Sequence, residues 1–179
     1  MTNRSHSSPL PLRSPVICLV TAAMFAAIIT LTTAYLFHIP IGTAGGYIHI
    51  GDAFIYLAAC FLPLPYAMAA AAVGAGMADL LSGAAIWMVP SLLIKAALVP
   101  AFPREGKLFC RRSILAVLLG CIITPGGYYL AEGILTGSWV VPLASIPMNL
   151  FQGAANGLLF LIMASALDRS GVPGRLRGC

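Results

Sequence analysis

Asp52, Asp79, Lys95 and Glu132 lie among segments that are otherwise almost wholly apolar. An ionised side chain at the centre of a membrane helix costs on the order of 3 kcal/mol, so such groups face a protein interior or a wet cavity and mark sites. Asn149, Gln152 and Asn156 follow at i, i+3 and i+7, which puts three amides on one helix face. Carboxylates, an ammonium and amides can orient a small polar molecule, while Tyr47, Trp87, Tyr128, Tyr129 and Trp139 offer flat faces for stacking. Plainer roles exist for the same residues. Asp52 stands where it could cap a helix, Asp79 could pair with Lys95 across two helices, and the tryptophans and tyrosines could anchor the chain at an interface. His38 and His49 fall in the loop before Asp52.

The solvent around these groups follows from composition. Of 179 residues, 60% are hydrophobic and 8% charged, against about 25% charged in soluble domains. Mean hydropathy is +0.95. A water-soluble fold of this size cannot bury so much apolar surface, so the chain reads as one integral membrane domain in a lipid bilayer. The net charge of +5 is no nucleic-acid signal, because the basic residues cluster between apolar spans. Cys18, Cys60, Cys110, Cys121 and Cys179 have neither CxxC nor Cys/His spacing, which argues against a disulfide framework or a metal site.

The apolar stretches predict an all-α membrane protein with six transmembrane helices, over residues 16–37, 50–63, 65–82, 87–103, 113–135 and 142–167. A cytoplasmic tail, 1–15, precedes this membrane domain (16–167), and another, 168–179, follows it. The uncharged run Val16–Phe37 would rise about 33 Å as helix, enough to cross the hydrocarbon and too long for a cleaved signal. A "PLP" break at 63–65 separates the second and third spans, with one long kinked helix as the rival reading. Six spans place Arg4, Arg13, Arg104, Lys107, Arg111, Arg112, Arg169, Arg175 and Arg177 on one side, while the opposite loops hold no Lys or Arg; five spans would break that asymmetry. Both termini are therefore expected in the cytoplasm. The first outer loop, "HIPIGTAGGYIHIG", is rich in Gly and β-branched residues and suits an extended or hairpin-like segment folding over the bundle.

On this topology Asp52, Asp79 and Glu132 fall at outer helix ends, Lys95 lies about 12 Å deep, and the amide face descends from the outer rim. Polar groups confined to the outer half suit an outward-facing pocket better than a channel. Two small-residue pairs on the first helix, Ala22/Ala26 and Ala23/Ala27, would let a second helix approach closely.

The blocks "GGYIHIGDAFIYLAA", "GAGMADLLSGAAIWMVPSLLIKA", "GGYYLAE" and "IPMNLFQGAANG" resemble the substrate-binding S component of energy-coupling-factor (ECF) transporters over residues 16–167. The resemblance implies a multi-pass protein of a prokaryotic plasma membrane that binds a water-soluble vitamin or its precursor from outside. It implies as partners a transmembrane coupling subunit and two ATP-binding-cassette ATPases, no enzymatic activity and no cofactor. It further implies that an A-x-x-x-A face of the first helix docks the coupling subunit, with Ala22/Ala26 and Ala23/Ala27 both matching. The first outer loop, 42–50 here, would gate a pocket among the fourth to sixth helices. The site expected from these readings comprises Glu132, Asn149, Gln152, Asp79, Lys95, Trp87, Tyr128, Asn156 and His49. Its mixed charges favour a neutral or weakly cationic heteroaromatic such as a pyridine, pyrimidine or thiazole, with riboflavin-like and nucleoside-like ligands also admitted.

Two other functions fit the sequence less well. A solitary facilitator or channel would need polar lining in the inner half too. An intramembrane enzyme could use Asp52 and Asp79 as carboxylates sharing a proton, but both lie near the outer surface and "AGMAD" is not the aspartyl-protease motif. The sequence contains no GxxxxGK[ST], HExxH or GxSxG, so ATP would be handled by partners.

Overall fold

The computed structural model describes residues 14–36, 39–41 and 46–171. The tails carrying Arg4, Arg13, Arg175 and Arg177, together with His38 and residues 42–45 of the expected gate, lie outside the described residues. Within them the chain forms six α-helices and one short hairpin. Helix α1 spans Pro15–Ala34, α2 Gly51–Phe61, α3 Leu64–Leu81, α4 Met88–Leu98, α5 Arg111–Thr136 and α6 Ile146–Ser170. Strands β1 (Ile39–Ile41) and β2 (Gly46–Ile48) pair antiparallel, with Ile39 opposite Ile48 and Ile41 opposite Gly46. Single 3₁₀ turns at Ala85–Trp87 and Val99–Ala101 extend α4 at both ends, and another at Val141–Ala144 leads into α6.

The helix ends carry ordinary stop and start chemistry. Ser14 accepts from Val16 N at 3.4 Å, with Pro15 in the first turn, where its missing N–H costs nothing. Helices α5 and α6 stop at Gly137 and Gly171, whose φ of 65° and 69° is left-handed. Leu62 and Pro63 are both extended, with ψ of 151° and 148°, so α2 and α3 are two helices rather than one kinked rod.

Four helices, α1, α3, α5 and α6, are long and apolar enough to cross a membrane; Gly51–Phe61 and Ala85–Ala101 are shorter. With 11 residues, α2 rises only about 16 Å. It is nonetheless the core of the bundle: it packs on α1, α3, α4 and α6, and residues Ile55–Cys60 are all buried. At its middle Tyr56 stacks on Phe102 at 4.6 Å, and Phe160 meets both rings edge-on at 5.7 and 5.3 Å. Asp168, near the end of α6, accepts from Leu108 N and Phe109 N at 3.0 and 2.8 Å and thereby fixes the loop before α5. Arg104 and Arg112 donate to the carbonyls of Val99 and Ala101 at the C-terminal end of the α4 segment. Partial burial and the neighbouring Arg112 pull the Arg104 guanidinium below its usual value.

Helices α1 and α3 meet at Gly74. A Cβ there would stand 2.8 Å from the Ile29 side chain and 3.0 Å from Ala26 O. Thr30 Oγ1 seals the contact by donating to Gly74 O and Ala26 O at 3.0 and 2.9 Å. Ala22 is buried and Ala26 half-buried, whereas Ala23 and Ala27 are exposed. The two small-residue pairs thus face different ways. Gly74→Val should destabilise the bundle by about 1–3 kcal/mol through overpacking, read as a lower Tm of the detergent-solubilised protein, while Ala23→Val should leave Tm nearly unchanged.

Candidate functional site

The centre of the polar cluster is an ion pair. Lys95 Nζ, on α4, donates to Asp52 Oδ2, in the first turn of α2, at 2.8 Å. Both side chains are almost wholly buried, at 2% and 0% exposure. This corrects two readings. The carboxylate bonded to Lys95 is Asp52 and not Asp79, and Asp52 does not cap α2, which has no side-chain bond from its cap residue Ile50. The physical reason is cost: an ammonium in the bundle interior needs an opposite charge at contact distance, and the first turn of α2 points Asp52 inward at Lys95. Asp79, buried at the end of α3, lies within electrostatic reach of Lys95 and Tyr128.

Around the pair stands an aromatic and hydroxyl shell. Lys95 Nζ is 5.4 Å from the centroid of the Tyr128 ring, a cation–π arrangement. The Tyr128 hydroxyl is 2.7 Å from Ser91 Oγ, and Trp87 meets the Tyr128 ring edge-on at 5.9 Å. Ser91 and Lys95 are one turn apart on α4 and so share a face. Sequence reading missed Ser91, although its spacing from Lys95 was the available signal. Trp87 and Tyr128 are half-buried and form the outer edge of this cluster.

The amides of α6 serve the start of α2. Asn156 Oδ1 accepts from Ala53 N at 3.1 Å, and Asn156 Nδ2 donates to His49 O at 2.8 Å and to Gln152 O at 2.9 Å. The capping of α2 therefore comes from another helix. His49 contributes as well, its Nδ1 accepting from Gly51 N at 3.1 Å. The other ring nitrogen, Nε2, lies 3.1 Å from Gln152 Nε2. Gln152 and His49 also lie beside the Asp52 carboxylate. Gly51 is required by space: a Cβ would fall 1.8 Å from Thr33 Oγ1.

Glu132 and Asn149 form a second group. Ser145 Oγ donates to Glu132 Oε2 at 2.8 Å, and Asn149 Nδ2 donates to Ser145 O at 3.1 Å. The Ser145–Glu132 bond ties the end of α5 to the start of α6, and the Asn149 bond lies within that start. The amide face therefore divides: Gln152 and Asn156 are buried against the α2 start, and Asn149 sits half-buried at the α5–α6 junction. Among the described residues no group of His, Cys, Asp and Glu is arranged to hold a metal ion.

Residues 15–169 match the family model described as ECF-type riboflavin transporter, S component. No curated protein matches the chain.

Removing one member of the buried pair strands the other charge, at a cost of about 3–5 kcal/mol. Lys95→Met and Asp52→Asn should each lower Tm strongly. The double variant should recover a large part of the loss, because no uncompensated charge remains. A Tm cycle over the four proteins checks this.

Proposed function

The chain belongs to the family of ECF-type riboflavin transporter S components, the substrate-specificity subunits of ECF transporters, and from that premise we propose that its ligand is a neutral flavin-type heteroaromatic bound against Trp87 and Tyr128. The observation that carries this reading is the pairing of Lys95 with Asp52 against the Tyr128 ring, which Trp87 meets edge-on. The pair cancels its own charge, so a bound molecule need not supply one. An isoalloxazine ring offers a large π face for stacking and a polar edge for hydrogen bonds. Lys95, Asp79 and Ser91 are the groups within reach of that edge in this reading. Glu132 and Asn149 make the outer rim beside Ser145. The polarity of the cluster also fits smaller pyrimidine-like or pyridine-like vitamins, which are the competing ligands in the test below.

In the same reading all six helices belong to the membrane domain, α2 and the α4 segment being short because they lie inside it. Both termini are cytoplasmic, by the distribution of Lys and Arg. The β1–β2 hairpin then lies outside, and His49 ties its end to Gln152 and Asn156 on α6. Opening of the hairpin admits the ligand. The contacts of His49 supply a means for the occupied site to hold the hairpin shut.

The partners in this proposal are a transmembrane coupling subunit and two ATPase subunits, which supply the energy. The exposed Ala23/Ala27 pair, flanked by exposed Val20 and Met24, is the docking face, because Ala22 and Ala26 are already engaged within the bundle.

Titration of the purified protein with riboflavin, flavin mononucleotide, thiamine and nicotinate, followed by flavin and tryptophan fluorescence, tests the ligand. Riboflavin should bind and lose fluorescence, and Trp87→Ala should weaken binding about tenfold, or 1.4 kcal/mol. Binding of thiamine or nicotinate without riboflavin would discard the flavin reading, and binding of none of them would discard this cluster as the ligand site. Separately, Ala27→Leu should reduce co-purification of the coupling subunit while leaving riboflavin affinity unchanged. Equal loss on Ala26→Leu with no loss on Ala27→Leu would move the docking face.

A further inference from the structure

The end of the bundle that carries the 102–112 loop gathers cations without matching acids. Arg104 Nη2 donates to Val99 O at 3.2 Å and Arg112 Nε to Ala101 O at 3.3 Å, so both guanidiniums lie against one 3₁₀ turn. Arg112 is near enough to disfavour the charge of Arg104. Like charges held side by side repel, and an anion beside them removes the repulsion. Among the described residues neither arginine makes an ion pair. Glu105 is exposed, and both carboxylate oxygens of Asp168 are taken by Leu108 N and Phe109 N. Each guanidinium has five N–H donors and spends one on its carbonyl. Arg111 and Arg112 also open α5 with no acidic residue in its first turn, where the helix dipole adds to their positive charge.

An apolar path leads from the pair into the membrane span. Arg112, Leu115, Leu119 and Ile122 stand at i, i+3, i+7 and i+10 on α5 and so share one face. The three apolar residues are 55%, 44% and 70% exposed. From Arg112 to Ile122 the helix rises about 15 Å, half of a hydrocarbon core about 30 Å thick. Ile122 then joins Pro125, Gly126, Ile146 and Leu150 in the wall of an apolar groove of about 350 Å³ between α5 and α6.

We infer that Arg104 and Arg112 form a binding site for the phosphate of an anionic phospholipid, whose acyl chain runs along Leu115, Leu119 and Ile122. Guanidinium forks match phosphate oxygens in geometry as well as charge, and basic pockets at the ends of membrane helices take such headgroups. A zwitterionic lipid brings a cation of its own, which the pair repels. A free phosphate matches the arginines but not the apolar face that follows them. The proposed docking face for the coupling subunit is on α1, which packs on α2 and α3, so the two surfaces belong to different helices.

The test compares thermal unfolding of the full-length protein in nanodiscs of phosphatidylcholine, alone or mixed with phosphatidylglycerol, without riboflavin. Both faces carry the same lipid, so the outcome does not depend on which end of the bundle is cytoplasmic, nor on the flavin reading. Phosphatidylglycerol should raise the Tm of the parent. Arg104→Gln and Arg112→Gln should each lose most of that rise, whatever their Tm in phosphatidylcholine. Lys107→Gln removes one charge from the same loop at an exposed position and should keep the rise. Native mass spectrometry of the delipidated protein should show phosphatidylglycerol retained, with affinity about fivefold weaker in Arg112→Gln. No rise in the parent would overturn the site, and equal loss in Lys107→Gln would replace it by diffuse surface charge. An equal rise from inorganic phosphate added to phosphatidylcholine would reduce it to a free-anion site. Loss of coupling-subunit co-purification in Arg112→Gln, with no lipid preference in the parent, would give the pair to that subunit instead.

Discussion

The ion pair between Lys95 and Asp52 is the constraint around which the rest of the bundle is arranged. Neither charge is tolerable alone in a low-dielectric interior, so α4 and α2 must meet at one register. That register puts the Lys95 ammonium over Tyr128 and so fixes α5 against α4. It also brings the first turn of α2 beside α6, where Asn156 and Gln152 meet its backbone and His49. A hydrophobic interior without the pair could slide by a turn at modest cost, because leucine-like and alanine-like surfaces are alike at many offsets. The charges remove that freedom. They stabilise less than their contact distance suggests, since desolvation offsets much of the attraction.

The helices were legible from sequence because bilayer-length apolar runs and Pro-rich or Gly-rich breaks are local signals. Pro63 correctly separated α2 from α3, and the Gly-rich loop was correctly read as hairpin-like. Side-chain partnership was less legible. Asp52 and Asp79 both lie at helix ends on the expected outer side, and nothing in their spacing says which one Lys95 meets. The answer depends on helix rotation and depth, which are set by packing across the whole bundle. The same limit applied to Asn149, Gln152 and Asn156. Their common face was visible, but not that Gln152 and Asn156 would turn to the start of α2 while Asn149 joined Ser145 at the other junction.

Small residues act here as distance setters. Gly74 brings α3 onto Ile29, and Gly51 brings the start of α2 onto Thr33. Close backbone approach is how helices gain van der Waals contact in a solvent as apolar as themselves. Ala23 and Ala27 leave a second pair of small residues exposed on α1.

The hydrogen bond from Ala53 N to Asn156 spans 103 residues of chain. A ribosome adding about 5–20 residues per second needs roughly 5–20 s to make that stretch. For that interval α2 exists without its cap, too short to span the bilayer and carrying a carboxylate. The newborn α2 must be kept from lipid by the insertion machinery or by earlier helices, and it reaches its final place only when the last helix arrives. The order of synthesis makes α6 the clasp that closes the bundle.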